Sequence, residues 1–87
     1  MHEMSLLNDL LRKIHAVARQ ANARKVTRVR LKIGPLAHCS PDHLRGHFER
    51  AVRDTIAEGA QLDVEALEDE NDPNAEAIVL ESIEVAT

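Results

Sequence analysis

Aromatic residues are almost absent from this chain: Phe48 is the only one among 87 residues, and tryptophan and tyrosine do not occur. A core must therefore be built mainly from leucine, valine, isoleucine and alanine, and a chain this short buries only a modest core. Without aromatic side chains there is no platform on which RNA bases stack. The formal net charge of -4 also argues against a general nucleic-acid binder.

Cysteine is scarce as well, because Cys39 is the only one in the chain. A single thiol excludes an internal disulfide and the Cys-x-x-Cys pairs of a structural zinc site. No run approaches the ~20 apolar residues of a membrane-spanning helix, and the start MHEMSLLNDLL lacks the basic and apolar regions of a signal peptide. A cytoplasmic protein without a membrane segment is therefore expected.

Recognisable catalytic patterns are missing too. The phosphate-binding pattern GxxxxGK(S/T) does not occur, and no acid–base pair or nucleophile with its base stands out by spacing. An enzyme is therefore not expected. Any nucleotide hydrolysis connected with this protein would belong to a partner.

The first third of the chain predicts a helix followed by a strand. Residues 5–22 carry apolar side chains at steps of three and four, which is typical of an amphipathic helix, and Ser5 is a candidate N-cap. The stretch VTRVRLKIG alternates apolar and basic residues, which predicts a strand with one face in the core. Its other face is basic: Arg28, Arg30 and Lys32. This basic face is either simply solvated or an interface for an acidic partner.

A second helix is predicted after the Gly34-Pro35 break. Ser40 followed by Pro41 is typical of an N-cap and a first helical residue, and Gly59 is a candidate C-terminal stop. Between them runs an apolar stripe: Leu44, Phe48, Ala51, Val52, Thr55 and Ile56. The spacing therefore predicts a helix that continues to about Ile56.

The last third predicts two strands, AQLDVEAL and AIVLESIEVAT, separated by the acidic loop at residues 68–76. Both alternate sets of the last strand contain apolar residues, so its buried face stays unassigned. The fold class that follows is α+β: two helices packed on one face of a small three-stranded mixed sheet, order α-β-α-β-β. The helical connection favours a parallel first pair of strands, and the short acidic loop makes the last pair a candidate antiparallel hairpin.

The opening letters MHE offer a set of nitrogen donors. The amine of Met1, the amide and imidazole nitrogens of His2 and the amide nitrogen of Glu3 can together surround one ion. A planar, nitrogen-rich set suits Ni(II) or Cu(II), and its affinity should fall in acid because amide nitrogens must lose protons to bind. The Glu3 carboxylate could add a ligand or orient the imidazole. The alternative is an ordinary, disordered chain end.

A second group of metal-ligand residue types follows the first strand: His38, Cys39, Asp42, His43 and His47. His43 and His47 are four residues apart and therefore share one helix face, as in many metal sites. The alternative is an exposed polar face at the start of a helix. The segment from His38 to Asp42 could approach the N-terminus and assist the metal site, whereas Cys39 is expected to act as a small packing residue.

Four blocks together resemble the HypA/HybF family of hydrogenase nickel-incorporation proteins: MHEMSLLNDLL, KVTRVRLKIGPLAHCSPDHL, FERAVRDTIAEGAQLDVE and VLESIEV. The resemblance implies a metallochaperone that delivers Ni(II) during maturation of nickel–iron hydrogenase, in some cases also of urease. A maturation GTPase and the hydrogenase large subunit are the implied partners, with no nucleic acid and no membrane. In the family the MHE start holds nickel, which here corresponds to Met1, His2 and Glu3.

One departure from the family is large. Its members insert a zinc ribbon with two Cys-x-x-Cys pairs where this chain has only the acidic loop 68–76, so zinc is not expected. Residues 1–87 are therefore expected to form a single nickel-binding domain, with loop 68–76 at the place of the ribbon. The alternatives are a small adaptor domain that has lost metal delivery, and a homodimer or domain-swapped form favoured by the short loop.

Overall fold

The computed structural model describes residues 3–37 and 39–87, with side chains at the start of the chain from Ser5 onward. The elements follow in the order α1 (Glu3–Gln20), β1 (Lys25–Ile33), α2 (Pro41–Ala51), β2 (Gln61–Ala66) and β3 (Ile78–Ala86). The predicted class is confirmed, with two helices on one face of a three-stranded mixed sheet. Within the described residues, neither helix has the length and hydropathy needed to cross a bilayer.

The strand order is β2-β1-β3, which makes β1 the central strand. β1 and β2 are parallel, as expected, but β3 pairs antiparallel with β1 instead of forming a hairpin with β2. The hairpin prediction is therefore wrong. The acidic connection is long enough to cross the end of β1: the amide of Leu67 donates to Ile33 O at 2.8 Å, and the amide of Gly34 donates to Ala77 O at 2.9 Å. We call residues 67–77 the crossover segment.

A bulge decides which side chains of β3 are buried. Leu80 pairs with Leu31 and Ser82 pairs with Arg30, so Glu81 has no counterpart on β1. Because one residue is skipped, the apolar residues before and after Glu81 both turn towards the helices. Ile78, Leu80, Ile83 and Val85 all join the core. This bulge explains why neither of the two alternating sets of residues in the last strand is uniformly apolar.

The core is aliphatic around a single ring, as the composition predicts. Phe48 is fully buried, and α1 and β1 supply eight of the fifteen buried residues of the core. The fully buried residues with the largest side chains are Phe48, Leu7, Ile14, Leu31, Leu44, Val26 and Val29. Val26 and Val29 both face inward because a second irregularity, at Thr27, interrupts the alternation of β1.

Both helices differ from their predicted limits. α1 already includes Glu3, so Ser5 is an exposed residue inside its first turns and is not the N-cap. α2 ends at Ala51, about five residues before the predicted end, because side chains compete with the helix for backbone groups. The hydroxyl of Thr55 donates to Val52 O at 2.7 Å, and the Glu58 carboxylate accepts from the amide of Asp54 at 3.0 Å.

The start of α2 is capped as predicted. Ser40 has extended backbone angles, and its hydroxyl accepts a hydrogen bond from the His43 amide at 3.2 Å. We expect Ser40→Ala to lower the free energy of unfolding by about 1 kcal/mol, because that amide loses its partner. Urea denaturation measures the change. The control is Ser5→Ala, inside α1, where alanine is the better helix former; equal losses in both variants would contradict the capping role.

Candidate metal centre

The fold brings the start of α1 to the end of the sheet where β1 finishes. α1 has 18 residues and is about 27 Å long, and β1 has nine residues and is about 30 Å long. The short turn between them reverses the chain, with the Ala23 amide donating to Ala18 O at 3.0 Å. Residue Glu3 therefore lies at the same end as the segment from Gly34 to Ser40.

The motif MHE, which is predicted to bind nickel, lies only partly within the described residues. Met1 and His2 lie outside them, as does the side chain of Glu3. The backbone of Glu3 begins α1. The first amides of a helix have no carbonyl partner within the helix, so the Glu3 amide can serve as a nitrogen ligand without breaking a helical hydrogen bond. The predicted ligand set of Met1, His2 and Glu3 stays a prediction.

The residues that follow β1 are held firmly at this end. Leu36 donates its amide to Ala75 O at 2.7 Å, and the Ala37 amide donates to Gly34 O at 3.1 Å. Cys39 is half-buried and packs against the core, in line with the packing role expected for it. Its thiol donates to Ser40 O at 3.5 Å. His38 lies outside the described residues.

The two histidines of α2 share one helix face, as their spacing predicts. The ring centroids of His43 and His47 are 4.7 Å apart and the rings are inclined by 37°. The Arg50 guanidinium lies 3.2 Å from Nδ1 of His47. Arginine only donates hydrogen bonds, so this contact uses Nδ1 of His47 as an acceptor. An ion bound at Nδ1 would displace Arg50 and would face its positive charge.

The described residues do not gather a complete metal site around these histidines. No group of three or more histidine, cysteine, aspartate or glutamate side chains among residues 5–37 and 39–87 could hold an ion. Asp42 lies in the first turn of α2 and is exposed. The hypothesis that His38, Asp42, His43 or His47 assists the metal site therefore stays a prediction.

The basic face of β1 carries its own counter-charges, which the sequence pattern alone did not reveal. Arg28 Nε lies 3.4 Å from the Asp63 carboxylate, and Arg30 Nη2 lies 3.3 Å from the Glu84 carboxylate. Longer pairs at 3.8 and 3.9 Å connect Arg28 with Glu84 and Arg30 with Asp63. The acidic side chains of the strands on both sides thus neutralise Arg28 and Arg30. Acidic residues do alternate with apolar ones in β2 and β3, but only the strand order shows that Asp63 and Glu84 lie beside the arginines.

Comparison with known protein families identifies the family of this chain. A family model described as "Hydrogenase/urease nickel incorporation, metallochaperone, hypA" matches residues 1–72, a range that includes the MHE start. The chain belongs to the HypA family. This result confirms the family resemblance drawn from the four sequence blocks.

Individual HypA proteins show the same relationship over most of this chain. It is 43% identical over 67 residues to a hydrogenase maturation factor HypA of Chlorobium limicola, which covers 77% of this chain and 58% of that protein. It is 38% identical over 65 residues to the HypA of Methylocella silvestris, which covers 75% of this chain and 58% of that protein. The chain thus spans a little over half the length of these curated HypA relatives.

The solved structures support the HypA fold. The solution structure of the Ni metallochaperone HypA from Helicobacter pylori superposes with a TM-score of 0.80, covering 99% of this chain and 98% of that chain. The sequence identity is 18%, so this likeness concerns the fold alone.

Proposed function

We propose that this chain is a non-enzymatic nickel metallochaperone, which binds Ni(II) through Met1, His2 and Glu3 and delivers it during maturation of nickel–iron hydrogenase, with urease as a second destination. The observation that carries the proposal is the family match, which begins at residue 1 and therefore includes the MHE motif. The Ni(II) ion is the cargo of the protein.

The donor chemistry supports nickel as the cargo. The Met1 amine, the His2 amide and imidazole, and the Glu3 amide are all nitrogens, which favour Ni(II) or Cu(II) in a planar arrangement. The positive end of the α1 dipole opposes the ion by only about 0.3–1 kcal/mol. Deprotonated amide nitrogens are strong donors that carry negative charge, so they offset this small repulsion.

The proposal extends to the organisation and partners of the chain. Residues 1–87 act as a single nickel-binding domain, and residues 68–76 stand where the family's zinc ribbon would be inserted. The family's structural zinc ion is not part of the proposal, because its Cys-x-x-Cys pairs are absent and the only cysteine is Cys39. A maturation GTPase and the hydrogenase large subunit are the proposed partners, in the cytoplasm.

A second candidate function is a small adaptor domain that has lost metal delivery. The observation that favours this alternative is loop 68–76, which lacks the Cys-x-x-Cys pairs of the family's zinc ribbon. The two candidates differ in whether the first residues take up nickel.

Nickel titration of the untagged chain distinguishes the two candidates. We expect about one Ni(II) per chain with a micromolar or lower Kd, and a loss of at least about 100-fold in affinity for His2→Ala, because the imidazole and the chelate ring it closes are removed. Isothermal titration calorimetry, together with the visible absorption of planar Ni(II), measures both quantities.

The control is His15→Ala, which changes a half-buried histidine on the same helix as the motif. It should bind nickel as the unchanged chain does. His43→Ala provides a separate measurement of whether α2 assists the site. Equal nickel affinity in the His2→Ala variant and the unchanged chain would exclude the metallochaperone proposal and leave the adaptor function.

A further inference from the structure

We propose that the end of the molecule opposite Glu3 is a docking surface for a protein segment that places carboxylates beside an apolar side chain. The Ile56 surface, as we call it, consists of Arg19, Arg24, Lys25, Thr55 and Ile56. It lies where α1 ends, β1 begins and the chain turns from α2 to β2. The inference does not depend on nickel binding.

Ile56 is the apolar centre of this surface. It is 38% exposed, and only Val17, at 42%, is comparably exposed among the large hydrophobic side chains of the described residues. Two adjoining grooves of about 480 and 360 Å³ share Thr55 and Ile56 in their walls. Grooves of this volume are large enough to receive one or more side chains of a partner.

The backbone holds Ile56 in place before any partner binds. Its carbonyl accepts a hydrogen bond from the Val26 amide at 2.9 Å, which ties the turn to β1. The Thr55 hydroxyl bonds to Val52 O and accepts from the Ala57 amide at 3.1 Å. A turn whose backbone is already fixed loses little conformational freedom on binding, which favours its use as an interface anchor.

The cations around Ile56 differ from the three arginines that pair with carboxylates. Arg12, Arg28 and Arg30 each pair with a carboxylate. Within residues 5–37 and 39–87, the exposed side chains of Arg19, Arg24 and Lys25 form no ion pair. Asp54 and Glu58 also line the grooves, and the Glu58 carboxylate accepts from the Asp54 amide. Three unpaired cations therefore remain on the side formed by α1 and β1.

This combination selects the chemistry of the partner. Exposed cations at the edge and an aliphatic groove at the centre complement a segment with acidic side chains on both sides of an apolar one. Nucleic acid is a poorer occupant, because the chain carries a net charge of -4 and its single phenylalanine is buried, so no aromatic side chain is available to stack on a base. The occupant is therefore an acidic, apolar protein segment.

The test uses the nickel-free full chain and three synthetic peptides: acetyl-EELLEEL-amide, its glutamine counterpart acetyl-QQLLQQL-amide, and its serine counterpart acetyl-EESSEES-amide. Amide chemical shifts are followed by ¹⁵N–¹H NMR during titration. We expect only the first peptide to shift residues 19–25 and 54–58. Arg19→Ala with Arg24→Ala should weaken its binding by about fivefold or more, and Ile56→Ser should weaken it similarly.

The control variant is Arg12→Ala, which removes an exposed arginine that already pairs with Asp9. It should bind the first peptide as the unchanged chain does. Equal binding of the glutamine or serine peptide, shifts elsewhere on the molecule, or an equal effect of Arg12→Ala would overturn the proposal. Light scattering at low salt tests whether the chain dimerises through this surface. A dimer that becomes monomeric in the Ile56→Ser variant would overturn the proposal and assign the surface to a second copy of this chain.

Discussion

Replacing Gly34 by alanine is expected to lower the free energy of unfolding by about 3 kcal/mol or more, the largest effect we expect from any single substitution. A Cβ atom at this position would lie well inside the contact distance of the backbone carbonyls of Asn74 and Ala75. Backbone atoms cannot rotate away as a side chain can. The crossover segment would have to move, which strains the bonds from Gly34 to Ala77 and from Leu36 to Ala75.

The other two glycines are matched controls, because each lacks this contact. Gly46 lies within α2 with no close neighbour, so Gly46→Ala should raise the free energy of unfolding by about 0.5–1 kcal/mol. Gly59 has open space but a φ of +78°, so Gly59→Ala should cost about 1 kcal/mol through backbone strain. Urea denaturation of the three variants should therefore give two losses of different size and one gain. Equal changes at all three positions would contradict the crossover contact.

Blocking the Met1 amine is expected to weaken nickel binding by at least about tenfold. The amine is one of the nitrogens of the proposed chelate, and a peptide bond to a preceding residue makes it a poor donor. The change is made with an N-terminal fusion partner that a protease removes to leave Met1 first. Calorimetric titration before and after cleavage measures the difference.

A fusion attached after Thr87 is the control for the N-terminal fusion. It has the same mass but leaves the amine intact, so nickel affinity should match that of the untagged chain. Cleavage of the N-terminal fusion should restore full nickel binding. Nickel affinity of both the fused and the cleaved chain should fall as the pH falls, because the amide nitrogens regain protons. Undiminished affinity in the N-terminal fusion would mean that the ion binds elsewhere.

The class of fold could be predicted because it depends on local patterns that survive in the structure. The alternation of β1 and the spacing of α1 each present one apolar face, and burying those faces leaves few arrangements. The partner of β3 could not be predicted. Its pairing depends on the bulge at Glu81 and on the way that Gly34 lets the crossover segment pass, and both are contacts between distant parts of the chain.

The end of α2 shows a different limit of sequence patterns. Helical periodicity continues through Thr55 and Ile56, yet the helix ends at Ala51 and Asp54 adopts a positive φ of 64°. Hydrogen bonds of Thr55 and Glu58 to nearby backbone groups outweigh the weak preference expressed by periodicity. The same turn exposes Ile56, so the error in the predicted helix coincides with the proposed docking surface.

The candidate nickel site was predicted from the three-residue motif MHE and a family resemblance, because its proposed donors are backbone nitrogens as much as side chains. The position of Glu3 at the end of the sheet with Cys39 and Ser40 follows from matching lengths of α1 and β1. The sequence did not reveal the ion pairs of Arg28 and Arg30, because their carboxylates come from strands that are distant in the chain.

The crossover segment also determines where additional protein could be accommodated. Its second half, from Asn74 to Ala77, is fastened to the turn after β1, whereas residues 68–71 are exposed and contribute nothing to the core. Extra length spliced into that first half would leave every strand in register and the helices undisturbed. A guest module attached there would project from the end of the molecule at which α1 begins.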